Sequence, residues 1–155
     1  MKTNWKQLLL FLAIPLTAGG LAALAGGDMM QYQTLIQPPL SPPAWVFPVV
    51  WTVLYLLMGY GSYRIYISKA DPKQKRNALI LYGMQLLFNF LWPLTFFRLG
   101  WRLTAFFLLC ILWVLIFLTI RAFNAIDERA SDALLPYLLW VTFAGYLNLG
   151  VYLLN

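Results

Sequence analysis

Residues 100–120 read GWRLTAFFLLCILWVLIFLTI and contain one charged side chain, Arg102, within a long apolar run. A bilayer core about 30 Å thick needs roughly 20 apolar residues in a helix that rises about 1.5 Å per residue. This stretch therefore predicts a transmembrane helix. The whole chain of 155 residues has a matching composition, because 62% of its residues are hydrophobic and only 10% are charged.

Four other windows also meet this requirement, and no segment sustains the alternation expected of a strand. We predict helices at about residues 7–26, 45–67, 77–97, 102–123 and 133–154. The sequence therefore predicts an all-α membrane protein: a five-transmembrane-helix bundle forming a single domain over residues 1–155. A long Pro-rich first loop is expected at about residues 27–44.

The first window has two interpretations. Lys2 and Lys6, an apolar run and the small residues at 22–26 also resemble a cleavable signal peptide. Against this, the apolar run is longer than a signal sequence needs and contains Pro15. Small residues also recur four apart in it, which is the spacing that lets helices approach closely. We favour a retained helix whose small residues pack inside the bundle, with a dimer face as the alternative.

The distribution of basic residues predicts the orientation in the membrane. Nine of the eleven Lys and Arg residues fall on the side of the N-terminus and of the second and fourth loops, in these segments or at the helix ends beside them, and only Arg98 and Arg102 fall on the other side. Basic residues concentrate in cytoplasmic loops. We therefore expect a cytoplasmic N-terminus, with the first loop and the C-terminus outside. The net charge of +6 reflects this topology, and no nucleic-acid partner is expected.

The sequence excludes several classes of chemistry. It has no histidine, so Ser-His-Asp, Cys-His and His-ligated metal or haem sites cannot form. Its one cysteine, Cys110, cannot form an internal disulfide or a Cys-rich metal site. We therefore expect no bound metal and no required cofactor.

Two predicted helices carry polar and aromatic side chains at helical spacing. Trp51 and Tyr55 lie four residues apart, and Gln85, Asn89 and Trp92 form a second stripe. Amides are costly in hydrocarbon, so they face the bundle interior or a water-filled cavity. The stripes predict either a pocket for a flat apolar ligand or hydrogen bonds between helices.

Prolines give two further predictions. Pro15, Pro48, Pro93 and Pro136 are expected to lie inside four of the helices and to kink them. The four prolines at 38–43 make the first loop stiff and extended. This loop is expected to be a lid over an outward-opening cavity, or alternatively a rigid interfacial loop anchored by Trp45.

Four motifs occur in order and resemble one family. They are PPLSPP at residues 38–43, VWTVLYLLMG at 50–59, QLLFNFLW at 85–92, and PYLLWVTFA at 136–144 followed by Leu147 and Asn148. The chain resembles the TspO/MBR family, which includes the translocator protein (peripheral benzodiazepine receptor) and the tryptophan-rich sensory proteins. The resemblance covers nearly the whole chain and is of the bacterial type.

The resemblance implies a membrane receptor or sensor, often a homodimer, in a bacterial cell membrane. Its pocket would bind tetrapyrroles such as protoporphyrin IX and haem as ligands, and also isoquinoline carboxamide or benzodiazepine-type molecules. Membrane lipid is the other expected partner. The alternatives are a light-dependent porphyrin-degrading enzyme, since some bacterial members are reported to break down protoporphyrin, and a tetrapyrrole exporter. We expect binding rather than catalysis.

The family motifs place the ligand site at Tyr32, Pro42, Trp51, Tyr55, Asn89, Trp92, Trp140 and Ala144. Trp51 and Trp140 would be the reacting indoles if porphyrin were degraded, and Asn89 would donate a hydrogen bond to a ligand carbonyl. The chain departs from the family in the loop, where Gln37 replaces a Lys and Leu40 replaces a Trp. No basic residue follows Tyr152, so cholesterol binding is disfavoured.

Overall fold

The computed structural model describes residues 2–26 and 31–155, which are mostly helical and include no strand. In chain order the α-helices are α1 (Trp5–Ala25), α2 (Gln31–Thr34), α3 (Val46–Ile67), α4 (Pro72–Pro93), α5 (Arg102–Asn124), α6 (Glu128–Asp132) and α7 (Leu135–Leu154). Within these described residues, five segments are long and apolar enough to cross a membrane. This confirms the predicted all-α bundle of five spanning helices.

Two helix boundaries differ from the prediction. α4 begins at Pro72 rather than near residue 77, because Pro72 fits a first helical turn and the following Lys and Arg residues continue the helix. The last helix, α7, begins at Leu135, close to the predicted residue 133, but it is preceded by a short helix, α6, that was not predicted. Apolarity marks the segment inside the membrane, and helices extend beyond it.

Pro93 ends the regular part of α4. Proline has no amide hydrogen and cannot donate to the carbonyl four residues earlier. The chain widens into a π-helical segment, Leu94–Arg98, in which Leu99 N donates to the Leu94 carbonyl at 3.0 Å. The Thr95 hydroxyl donates to the Leu91 carbonyl at 3.0 Å. The irregular turn therefore keeps its backbone groups hydrogen-bonded.

The prediction that prolines kink four helices is wrong for two of them. Pro48 and Pro136 lie in the first turns of α3 and α7. Backbone N–H groups in a first helical turn have no acceptor inside the helix, so a proline there removes no hydrogen bond. Pro15 does lie inside α1.

α1 packs closely against α3 and α4. A Cβ atom at Gly59 of α3 would lie 2.7 Å from the Phe11 carbonyl oxygen of α1, and one at Gly26 would lie 3.5 Å from the Pro93 carbonyl oxygen. Ala22 is also buried. Ala22 and Gly26 therefore pack inside the bundle, as the favoured interpretation of the stripe expects, whereas Ala23 of the same stripe is exposed.

The main hydrophobic core lies between α3, α4, α5 and α7. Its largest fully buried side chains include Tyr137, Phe123 and Met58. The outer surface of the bundle is apolar as well, with many exposed Leu, Val, Ile and aromatic side chains. A surface of this kind suits contact with lipid rather than water.

The described part of the first loop is docked on α7. The Asn155 side chain exchanges two hydrogen bonds with the Ile36 backbone, at 3.1 and 2.8 Å, and the Tyr146 hydroxyl donates to the Pro39 carbonyl at 2.6 Å. The loop is not wholly extended, because α2 forms one helical turn in it. Residues 27–30 of the predicted lid lie outside the described residues.

Candidate functional site

A cavity of about 260 Å³ opens between α1, α3 and α4. Its lining is mostly apolar and aromatic, with a few polar groups on α3 and α4, which is typical of small-molecule sites. The lining residues are Leu16, Gly19, Gly20, Ala22, Ala23, Pro48, Trp51, Thr52, Tyr55, Asn89, Trp92 and Pro93.

The α1 wall of the cavity consists mainly of glycine and alanine. Gly19 faces the Tyr55 ring, and a Cβ atom at Gly20 would meet nothing within 4 Å. The cavity therefore exists because α1 presents almost no side-chain volume here. Larger residues on this helix face would fill the space.

The opposite wall is aromatic. The rings of Trp51 and Tyr55 are stacked on α3, with centroids 5.7 Å apart. On α4, the Trp92 indole N–H donates to Asn148 Oδ1 at 2.9 Å, which holds this ring in one orientation. These three rings offer flat faces for an aromatic ligand.

Asn89 lies at the polar edge of the cavity and joins three helices. Its Oδ1 accepts from the Tyr55 hydroxyl at 2.8 Å, and its Nδ2 donates to the Tyr137 hydroxyl oxygen at 2.7 Å. Tyr137 donates in turn to Gln85 Oε1 at 2.7 Å. Asn89 therefore lines the cavity and also forms hydrogen bonds between helices. Both roles predicted for its stripe, a pocket wall and helix–helix hydrogen bonding, apply to this one residue.

Four of the eight predicted site residues line this cavity, namely Trp51, Tyr55, Asn89 and Trp92. The other four lie elsewhere. Ala144 is buried in the core on α7, and Pro42 is half-buried in the first loop. Tyr32 and Trp140 do not line the cavity but are connected to Trp51 through ring contacts.

A chain of aromatic contacts links the first loop to the cavity. Tyr32 packs edge-on against Phe47 at 5.3 Å, Phe47 against Trp140 at 5.9 Å, and Trp140 against Trp51 at 6.5 Å. Trp140 faces a groove between α3 and α7 on the outside of the bundle. Its buried indole nitrogen has no hydrogen-bond partner among the described residues. Trp140 thus forms the wall between the groove and the cavity-lining Trp51.

Tyr32 is buried beneath the first loop, next to Phe96 and Val151. Burial raises the pKa of its phenol, and the neighbouring Ser41 hydroxyl opposes that shift. The phenol therefore stays neutral near pH 7 and cannot serve as an anion.

Metal ions need clusters of ligand groups in a protein. The described part of the chain contains no group of three or more Cys, Asp or Glu side chains that could hold an ion. Cys110 is exposed on α5. The cavity itself is lined by no charged side chain among the residues named above.

Two contributions to the site were not predicted from the sequence. The sequence predicts that the small residues of α1 pack inside the bundle, although Gly19, Gly20 and Ala23 form a cavity wall. Tyr137, the centre of the hydrogen-bond network, was not predicted either. A tyrosine near the start of an apolar span was the available signal, because a buried hydroxyl needs a partner.

Comparison with known proteins decides the family. The TspO/MBR family pattern matches residues 11–154. The chain belongs to the TspO/MBR family. It is 37% identical over 158 residues to the tryptophan-rich sensory protein of Cereibacter sphaeroides, covering 100% of this chain and 95% of the relative. It is 34% identical over 154 residues to the translocator protein of Bos taurus, covering 96% and 89%.

A third TspO/MBR relative is the translocator protein homolog of Schizosaccharomyces pombe, 38% identical over 156 residues and covering 98% of this chain and 92% of the relative. The resemblance found in the four sequence motifs is therefore confirmed. Family membership together with the five apolar helices identifies the chain as a multi-pass membrane protein.

Proposed function

We propose that the protein is a membrane receptor or sensor for flat aromatic ligands, with tetrapyrroles such as protoporphyrin IX and haem as the ligand class. The cavity between α1, α3 and α4 is the proposed binding site. The observation that carries the proposal is the meeting of two indoles and a phenol from two helices, Trp51, Trp92 and Tyr55, at one apolar cavity. Aromatic stacking favours a flat ligand there.

The cavity is small for a tetrapyrrole. Small-molecule sites commonly measure about 300–1,000 Å³, and this cavity measures about 260 Å³. A tetrapyrrole therefore requires a wider cavity or extends beyond its opening. Isoquinoline carboxamide or benzodiazepine-type ligands, which are smaller, require less widening.

A titration with protoporphyrin IX tests the proposal. The full chain in lipid nanodiscs is compared with Trp51→Phe and Asn89→Leu, with Trp5→Phe as the matched control because Trp5 is 69% exposed at the other end of α1. Loss of stacking or of one hydrogen bond corresponds to about 1 kcal/mol, so each site variant should bind several-fold more weakly. Unchanged affinity in both site variants, with altered melting temperatures, assigns the residues to packing alone.

Light-dependent porphyrin breakdown is a second candidate function. It is favoured by one observation, the contact of the Trp51 and Trp140 rings at 6.5 Å, because indoles are easily oxidised and one of them lines the cavity. Blue light on the protein–protoporphyrin complex should then bleach the Soret band over many turnovers. Trp51→Phe should slow bleaching far more than it weakens binding. Bleaching at the rate of free porphyrin removes this candidate.

We also propose the location and assembly of the protein. The N-terminus faces the cytoplasm of a bacterial cell, and the first loop and the C-terminus face outward, as the basic residues indicate. Homodimer formation is proposed from the family.

A further inference from the structure

The hydrogen bonds beside the cavity run in one direction, and a backbone carbonyl fixes that direction. Gln85 Nε2 donates to the Tyr82 carbonyl oxygen at 2.8 Å. A carbonyl can only accept, so this contact sets which end of the Gln85 amide faces Tyr137. Oε1 faces it and accepts the Tyr137 hydroxyl proton at 2.7 Å.

The direction of the hydrogen bonds between Tyr137 and the cavity follows in the same way. The single proton of Tyr137 is committed to Gln85, so the Tyr137 oxygen accepts from Asn89 Nδ2 at 2.7 Å. This turns Asn89 Oδ1 toward Tyr55, whose hydroxyl donates at 2.8 Å. The Tyr55 proton is therefore committed as well, while its oxygen receives no hydrogen bond in the described part of the chain.

A second hydroxyl group at the cavity, that of Thr52, also has its proton engaged in a hydrogen bond. Thr52 donates its proton to the Pro48 carbonyl at 2.7 Å. Thr52 and Tyr55, the two cavity-lining residues with hydroxyl groups, thus both donate their protons, and their oxygens accept no hydrogen bond within the described residues. The hydroxyl groups of α3 offer acceptors rather than donors to a ligand.

We propose that Tyr55 accepts a hydrogen bond from the ligand, so that the cavity selects flat aromatic molecules that carry a ring N–H or a hydroxyl group. Gln85 and Tyr137 are positioning residues that act through Asn89 to keep the Tyr55 oxygen available. This inference rests on the proposed function, because it requires an aromatic ligand in this cavity.

Carbazole and dibenzofuran provide a matched pair of probes. Both are flat tricyclic aromatics of nearly equal shape, but carbazole has a ring N–H where dibenzofuran has a ring oxygen. Each is titrated into the full chain in nanodiscs, with empty nanodiscs correcting for partition into lipid. One neutral hydrogen bond predicts about three- to tenfold tighter binding of carbazole. Tyr55→Phe should remove this preference.

Gln85→Leu tests the positioning role, because Gln85 is not among the residues that line the cavity. Without its amide, Tyr137 can donate to Asn89 Oδ1, and Asn89 Nδ2 can then donate to Tyr55. The Tyr55 proton becomes free, so the preference for carbazole should vanish or reverse. Tyr137→Phe removes the same link if Gln85→Leu does not fold. The control is Thr119→Val, which removes a buried hydroxyl on α5 and should keep the preference.

The outcomes separate the two proposals. If carbazole and dibenzofuran bind equally well, or if the preference survives in Tyr55→Phe or in a folded variant at Gln85 or Tyr137, the inference is overturned. If Trp51→Ala still weakens both probes in that case, the proposed site stands. If neither probe binds, or if Trp51→Ala changes nothing, the proposed function fails as well.

Discussion

Gly19 of α1 faces the ring of Tyr55 on α3 so closely that a Cβ atom at Gly19 would lie 2.6 Å from the Tyr55 Cζ atom. Real Cβ contacts are not this short, so any side chain here displaces the ring. Tyr55 also holds Asn89 by a hydrogen bond at 2.8 Å. The absence of a side chain at Gly19 therefore leaves room for the Tyr55 ring, which in turn holds Asn89 at the cavity.

Gly19→Ala should disturb ligand binding through this contact. Forcing an extra methyl group into a packed site typically costs about 1–3 kcal/mol. We expect the displaced Tyr55 ring to weaken protoporphyrin binding by about tenfold. The matched control is Gly20→Ala, in the same wall, where a Cβ atom meets nothing within 4 Å. Equal protoporphyrin affinities of the two variants in a titration would show that the position of the Tyr55 ring does not determine binding.

Gly150→Ala should loosen the first loop. A Cβ atom at Gly150 of α7 would lie 2.6 Å from Pro38, whereas one at Gly145 of the same helix would meet its nearest atom, on Leu109, at 3.8 Å. We expect faster protease cleavage or faster hydrogen exchange of residues 36–44 in Gly150→Ala and no change in Gly145→Ala. Identical loop protection in both variants would show that the Pro38 contact does not hold the loop.

Much of this fold is readable from the sequence because a membrane imposes one strong rule. Apolar windows of about 20 residues correspond to spans, and all five were found. The charged first turn of α4 and the short α6 were not found, because apolarity carries no information outside the bilayer. The first-turn positions of Pro48 and Pro136 follow from where the helices begin, which hydropathy locates only to within a turn.

The site was only partly predictable. The stripes of Trp51 and Tyr55, and of Asn89 and Trp92, follow from helical spacing, and all four residues meet at the cavity. Spacing within one helix cannot show which neighbouring helix supplies the facing wall. The role of Gly19 and Gly20 therefore became visible only in three dimensions. The direction of the Gln85–Tyr137–Asn89–Tyr55 hydrogen bonds likewise depends on contacts between three helices.

Haem should bind no more tightly than metal-free protoporphyrin. Axial ligation of haem iron uses His, Cys, Met or Tyr side chains, and the Tyr55 hydroxyl at the cavity is hydrogen-bonded to Asn89. The chain has no histidine, and no Cys or Met lines the cavity. We expect comparable affinities in parallel titrations and an absorption spectrum without the sharp bands of six-coordinate low-spin haem. A low-spin spectrum with much tighter haem binding contradicts this.

The orientation can be tested by labelling cysteines in a Cys110→Ala background. Ser41 lies in the first loop and Gln74 near the start of α4, at opposite ends of α3. In intact cells, Ser41→Cys should react with a membrane-impermeant thiol reagent, and Gln74→Cys should react only after the membrane is opened. The reverse pattern would place the N-terminus outside the cell.

The central claim is that the ligand occupies the cavity between α1, α3 and α4, and Gly20→Cys in the Cys110→Ala background tests it most directly. Gly20 lines the cavity and has open space around it, so a thiol fits there without strain. The measurement is the rate at which a membrane-permeant maleimide labels this thiol with and without protoporphyrin IX. We expect bound porphyrin to slow labelling strongly, and labelled protein to lose porphyrin binding. Unchanged labelling at saturating porphyrin, with full binding by the labelled protein, would place the ligand elsewhere.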